Sequence, residues 1–211
     1  MKAIIFDWDL TLWNSWDIHV WLMQRTAEAL GFPFPDQSSI AQEFSRPFFE
    51  YLAWFFGDDP EPARATYLKF YRETVSTMAG LYPGIPEMIL ELKGHGYRLA
   101  VFSDKRDIFG LSELDQTGIG HLLDYTLFLV DGRPYKPDPS GLRVVMEALC
   151  VTPGETLYVG DGRQDIECAH RAGARSGAAR WGSVDREAVL ARNSYYRWER
   201  IEHLSETLWV A

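Results

Sequence analysis

Two cysteines in 211 residues leave little from which to build a disulfide framework. Cys150 and Cys168 lie far from any metal-like spacing, in stretches that read as helical, so reduced and partly buried thiols are expected. His19, His95, His121, His170 and His203 show no ligand spacing either, and no zinc site is expected. Long apolar runs are missing. None approaches the roughly 20 residues that a bilayer-spanning helix needs. A strand entered at residue 2 leaves no room for a charged leader with an apolar core, so the expectation is a cytoplasmic protein with no membrane partner. Positive charge is in deficit, with 21 Lys and Arg against 30 Asp and Glu and a formal net charge of −9, which disfavours nucleic acid as a partner. Repeats and low-complexity segments are absent from the sequence.

The chain is long enough for one full α/β domain and a small accessory one. Its 46% apolar and 24% charged residues are an ordinary globular balance. Short, nearly continuous apolar runs at 2–6, 97–103, 125–130, 156–160 and 176–181 have the look of strands covered on both faces. Helical patterns alternate with them. One runs from Ile85 to Lys93 and stops at Gly94; another is capped by Asp138 with Pro139 at its first position and runs to about Cys150; a third spans Arg163 to Ala172 and closes at Gly173. The alternation predicts a Rossmann-like, doubly wound parallel sheet in an α/β core.

Residues 14–79 differ from the rest. They hold no strand-like run but carry 14 of the 30 aromatics, with breaks at Gly31-Phe32-Pro33-Phe34-Pro35 and Gly57-Asp58-Asp59-Pro60. The expectation is an inserted α-helical cap domain at 14–79, with the core built from 1–13 and 80–211. Most of the cap aromatics are expected to pack between its helices.

The first strand ends in Asp7-Trp8-Asp9-Leu10-Thr11. Side chains at i and i+2 of an extended segment point the same way, so Asp7 and Asp9 can reach one site. Carboxylates that close repel unless a proton or cation lies between them. A divalent metal, one nucleophilic Asp and one protonatable Asp would resolve the repulsion. Three further pieces follow in order: Val101-Phe102-Ser103-Asp104-Lys105, Lys136-Pro137-Asp138-Pro139-Ser140, and Leu157-Tyr158-Val159-Gly160-Asp161-Gly162-Arg163-Gln164-Asp165. Lys105, Arg106, Arg133, Lys136 and Arg163 bring local positive charge near these motifs, enough to hold a small phosphate.

The series resembles the haloacid dehalogenase superfamily of hydrolases, whose motifs are DxDxT, a Ser or Thr, a Lys, and GDxxxD. The likeness extends from residue 2 to about residue 182, and the inserted segment resembles the helical cap of the phosphoglycolate phosphatase-like branch. It implies a phosphatase acting on a small phosphorylated metabolite. Asp7 would attack phosphorus and form an aspartyl-phosphate, while Asp9 would protonate the leaving oxygen and then activate water. The superfamily's dehalogenases lack an Asp at the position of Asp9, which favours phosphoryl transfer. Ser103 would bond a phosphoryl oxygen, and Lys136 would offset charge on Asp7 and the phosphate. Thr11, Asp104 and Arg46 are further candidate contacts to phosphate or substrate, with Thr11 fixing the loop and Arg46 equally readable as a solvated arginine.

Four acids beside a phosphate call for a hard cation with oxygen ligands, and Mg²⁺ is the natural choice. By resemblance its ligands are the Asp7 carboxylate, the Asp9 carbonyl and the Asp161 carboxylate. Asp165 would act through water, orient Lys136, or simply be an acidic residue favoured in a helix's first turn. The family usually has Gly where this chain has Leu10. Two other functions share the fold: a phosphomutase of a sugar phosphate, and a binding or regulatory protein without turnover.

Overall fold

Residues 1–34, 36–44 and 46–209 are described by the structure, a computed structural model, except for the side chain of Trp209. The chain opens with β1 (Ala3–Phe6) and β2 (Trp13–Asn14), then runs through α1 (Trp16–Leu30), α2 (Gln37–Glu43), α3 (Phe48–Phe56) and α4 (Glu61–Met78). After β3 (Gly80–Leu81) come α5 (Ile85–Gly94), β4 (Arg98–Arg106), α6 (Asp107–Thr117), β5 (Tyr125–Leu129) and α7 (Ser140–Ala148). The last elements are β6 (Thr156–Gly160), α8 (Arg163–Ala172), β7 (Arg175–Ala179), α9 (Arg186–Leu190), β8 (Tyr196–Trp198) and α10 (Glu202–Trp209).

Two compact units emerge. One is Met1–Asn14 with Leu81–Ala211, of which Val210 and Ala211 lie outside the described residues; the other is Ser15–Gly80. In the larger unit six strands form one parallel sheet in the order β5-β4-β1-β6-β7-β8. From β1 the connections step toward β5 through α5 and α6, and from β6 they step the other way through α8. Because parallel crossovers are right-handed, opposite steps place their helices on opposite faces. The doubly wound sheet expected from the alternating pattern is therefore present.

On one face Ala3, Ile5, Phe102 and Tyr158 pack against Leu142, Val145 and Met146 of α7 and Cys168 and Ala169 of α8. Ile4 and Phe6 point the other way and are equally buried. Both faces being covered explains why these strands read as continuous apolar runs.

Several sequence-based expectations need correction. The helix after Lys136 begins at Ser140 rather than at Pro139; Asp138 still accepts a hydrogen bond from the Ser140 N–H at 2.9 Å. Cys150 lies just past α7 with a φ of 50° and is exposed, whereas Cys168 is buried in α8. The strand β8 and the helices α6, α9 and α10 were not among the expected elements. In α6 the reason is visible: Ile108 and Leu111 face solvent while Gly110 and Glu113 are buried, the reverse of an amphipathic helix.

The smaller unit is helical, with α1 packed along α4. Gly31, at φ 73°, ends α1 in the left-handed conformation that glycine adopts without strain. The Pro35 end of the expected break lies outside the described residues. His19 is buried here, its ring nitrogens 2.8 Å from the hydroxyls of Tyr67 and Tyr51. Phe34, Phe49 and Trp54 depart from the expected packing and are exposed.

Candidate active site

β1 and β6 are neighbours in register, Phe6 opposite Val159, so the residues that follow each strand emerge side by side. The ladder carries one step further, the Asp7 N–H donating to the Val159 carbonyl at 2.8 Å. Asp7 therefore leaves the end of β1 beside Asp161, which follows β6. In open α/β sheets this carboxyl edge is where ligands bind. Carboxylate oxygens of Asp7, Asp161 and Asp165 lie within 4.8 Å of one another, and all three residues are buried.

Lys136 bridges this cluster. Its ammonium is 3.0 Å from Asp7 Oδ1 and donates to Asp165 Oδ1 at 2.7 Å. Asp165 is further held by the Tyr158 hydroxyl at 3.1 Å and, through Oδ2, by the Gly162 N–H at 2.9 Å. Its side chain fills the space over Gly160, where a Cβ would come 2.3 Å from the Asp165 carboxyl carbon; only glycine permits that approach. Asp165 thus orients Lys136 and closes the first turn of α8. Asp161 has fewer ties, accepting from the Thr11 hydroxyl at 3.2 Å. Among the described residues, Asp7 Oδ1 has no aligned hydrogen-bond donor.

The electrostatics follow from burial. Burial pushes the Asp7 carboxyl up from 3.8 to about 7; Lys136 opposes that, Asp165 adds to it, and the Ser103 hydroxyl opposes it. Asp161 is raised well above the usual carboxylate range, first by burial and then by Asp165 and Asp7. Lys136 stays cationic, because the three neighbouring aspartates outweigh the burial that disfavours its charge. Ionised together, three buried carboxylates beside one ammonium carry a surplus of negative charge, and burying that charge is why the Asp7 and Asp161 carboxyls are raised. An oxygen-only donor set, with a buried Asp7 oxygen that has an ion pair but no aligned hydrogen bond, fits a hard divalent cation.

Asp9 points elsewhere. Its carboxylate is not part of the acidic cluster but accepts from Lys105 Nζ at 2.9 Å. Lys105 also meets Glu113 of α6 at 2.8 Å, and Glu113 accepts the indole N–H of Trp8 at 2.7 Å. Ser103 is buried near the end of β4, beside β1. Asp104 accepts the Lys136 backbone N–H at 2.9 Å, so it braces the lysine loop. Of the nearby cations, Arg106 pairs with exposed Asp131 and Arg133 donates to the Ser103 carbonyl at 2.8 Å. Arg46 belongs to the smaller unit, where its guanidinium is on Glu43.

The apolar run expected at 176–181 outlasts its strand, since β7 ends at Ala179 and Trp181 turns to the loop after β1. Trp181 donates its indole N–H to the Thr11 carbonyl at 2.9 Å. Tyr158 and Glu113 were missed, one hidden as a strand residue and the other as an ordinary helix acid. Lys105 was visible only as local positive charge.

Residues 4–179 match the family described as haloacid dehalogenase-like hydrolase. The chain belongs to that family, and it is an enzyme of the phosphoric monoester hydrolase class. Among its relatives, a phosphoglycolate phosphatase of Aquifex aeolicus is 30% identical over 87% of each chain. An N-acetylmuramic acid 6-phosphate phosphatase of Pseudomonas aeruginosa is 28% identical over 89% of this chain and 85% of that protein. A haloacid dehalogenase-like family hydrolase of Streptococcus pneumoniae shares the fold with a TM-score of 0.87, at 23% identity over 98% of both chains.

Proposed function

We propose that the protein is a Mg²⁺-dependent phosphatase that hydrolyses a small phosphomonoester through a phosphorylated Asp7. The observation that carries this reading is the convergence of buried Asp7, Asp161 and Asp165 at the carboxyl ends of β1 and β6, with the Lys136 ammonium against Asp7 and Asp165. Asp7 is the nucleophile because it stands at the carboxyl end of β1 with Lys136 against Oδ1, an ion pair that balances its charge without an aligned hydrogen bond on that oxygen. Lys136 offsets the charge of the attacking carboxylate and of the phosphoryl oxygens, and Asp165 holds it in place. Ser103 offers a hydroxyl to a phosphoryl oxygen. Asp9 gives a proton to the leaving oxygen and takes one from the water that releases phosphate.

Asp7, Asp161 and the Asp9 carbonyl would hold the cation, with Asp165 too committed to Lys136 to be a principal ligand. When bound, the cation supplies charge neutralisation between the nucleophile and the phosphate and orients the two for attack. The smaller unit, Ser15–Gly80, acts as a cap that selects substrate; phosphoglycolate and N-acetylmuramic acid 6-phosphate, in the names of two relatives, set the expected scale of small metabolites.

A panel of small phosphomonoesters, assayed with and without Mg²⁺, tests this. Release of phosphate should require Mg²⁺, with Mn²⁺ or Co²⁺ as substitutes, while Ca²⁺ binds in a looser shell and inhibits. Binding of Mg²⁺ should also raise the melting temperature of chelated protein. Full activity after exhaustive chelation would overturn the charge argument.

A further inference from the structure

We propose that Lys105, anchored by Glu113 and through it by Trp8, is a positioning residue that sets where the Asp9 carboxyl group stands for proton transfer. The inference rests on the phosphatase reading above and deepens it.

The contacts close a ring. Trp8 and Asp9 are separated by one peptide bond; Asp9 accepts from Lys105 at 2.9 Å, Lys105 meets Glu113 at 2.8 Å, and Glu113 accepts from Trp8 at 2.7 Å. Every other member is buried more deeply than Asp9. The side chain of Glu113 is 1% exposed and that of Lys105 11%, against 25% for Asp9. Trp8 is locked by stacking on Trp13 at 5.7 Å and by the edge of Phe128 at 5.8 Å. The ring therefore has a fixed side, made of Trp8 and Glu113, and a single outward-facing carboxylate.

Stability is a poor reason for such a device, because a buried Lys–Glu pair does little better than apolar side chains of the same volume. Its geometry suits orientation instead. Lys105 lies two residues past Ser103, and the register of β4 against β5 shifts between Phe102 and Arg106. Such irregularities re-aim side chains near active sites. Here the shift accompanies a lysine that reaches back to the loop after β1. A general acid must sit within hydrogen-bond reach of the leaving oxygen. Asp9 on its short side chain has few ways to stand, and Lys105 selects one.

The test uses the full-length enzyme with Mg²⁺ and a series of esters with progressively poorer leaving groups: p-nitrophenyl phosphate, phenyl phosphate and an alkyl phosphate. A nitrophenolate departs without help, whereas an alkoxide needs the proton. Lys105→Met should lower kcat/KM, which reports the phosphorylation step, on the order of 100-fold for the alkyl ester and by less than about threefold for p-nitrophenyl phosphate. For the latter, kcat and KM should fall together, because release of phosphate from Asp7 also needs Asp9. Because Lys105→Met removes the cation beside the buried Glu113 carboxylate, Lys105→Met/Glu113→Gln is measured beside it and should show the same leaving-group dependence. In an Asp9→Asn background, Lys105→Met should add little, as expected of residues that act as one unit. Equal losses across the series, or none, would overturn the assignment. A wild type inactive on every ester would overturn the phosphatase reading and this inference with it; an active wild type with flat variants would overturn the inference alone.

Discussion

Gly182 stands against the backbone of Leu10 so closely that a Cβ on it would lie 1.7 Å from the Leu10 carbonyl oxygen. One residue earlier, Trp181 donates to the carbonyl of Thr11. The segment after β7 thus presses on the loop that holds Asp7 and Asp9 from outside the acidic cluster. Backbone meets backbone here, so no side-chain rotation can relieve an added methyl group. Gly182→Ala should destabilise the protein by at least about 2 kcal/mol in urea unfolding, at or above the middle of the range for overpacked sites. Activity should fall as well, because the loop must shift at Leu10. An alanine variant of unchanged stability and activity would show that the loop tolerates displacement.

Leu10 itself sets two effects against each other. Its φ of 58° is a left-handed conformation that costs a residue with a Cβ about 1–2 kcal/mol. Its side chain is fully buried, and truncating a buried leucine to alanine costs about 2–5 kcal/mol. Burial wins, which explains how leucine can occupy a left-handed position that glycine adopts without strain. The order of two truncations should therefore be inverted. Leu10→Ala keeps the strain and loses the packing; Leu10→Gly loses the packing but sheds the strain, less the entropy that glycine surrenders on folding. Leu10→Gly should be the more stable by roughly 0.5–1 kcal/mol in denaturant unfolding. If alanine is the more stable, the left-handed backbone at Leu10 is not a source of strain.

The carboxyl of Asp7, raised to about 7 chiefly by burial, makes a prediction for chelated protein. In the unfolded chain the same group titrates near 3.8, so between these two values the folded state binds more proton than the unfolded one. The contribution of Asp7 is thus fully present below about pH 4 and is lost as pH rises toward 7. Asp7→Asn cannot ionise and should flatten this limb of the stability curve while abolishing turnover. Activity retained in Asp7→Asn would sink the covalent mechanism; an unchanged pH–stability profile would mean that the carboxyl is not raised.

Much of this architecture was legible because it rests on local pattern. Strands buried on both faces have to be apolar throughout, so β1, β4, β5, β6 and β7 announced themselves. Gly173 closes α8 where a left-handed residue was needed. Asp7, Lys136 and Asp161 sit at strand ends or loops whose residue types are costly without a purpose. What remained hidden depends on tertiary neighbours. Glu113 looks like any exposed helix acid until Trp8 and Lys105 arrive, and Gly182 looks like a turn glycine until Leu10 lies on it. Asp9 was read as part of the acidic cluster because residues i and i+2 share a face of an extended strand. The chain turns immediately after β1, with the Trp13 N–H returning to the Trp8 carbonyl at 2.9 Å, and that turn carries the Asp9 side chain to Lys105.

The residues outside the larger unit should govern which ester is hydrolysed. Asp7, Asp9, Ser103, Lys136 and Asp161 all lie in Met1–Asn14 or Leu81–Ala211, and on the reading proposed above the part of Ser15–Gly80 is substrate selection. Residues 14–79 carry 5 Arg and Lys against 9 Asp and Glu, so a cation in this segment is a scarce means of recognising an anionic substrate. Arg46 is the first to test. Its guanidinium already has Glu43 as a partner, and its side chain remains 42% exposed, so the pair contributes little to stability and the arginine is accessible. Arg46→Ala should leave the melting temperature within a degree or two (a surface change of under about 0.5 kcal/mol). It should lower kcat/KM unevenly across a panel of small phosphomonoesters, most for those with a second anionic group. Hydrolysis of p-nitrophenyl phosphate should barely change, since that ester presents no such group. If every substrate fell by the same factor, Arg46 would serve the chemical step common to all of them, and the division of labour between the two units would be wrong.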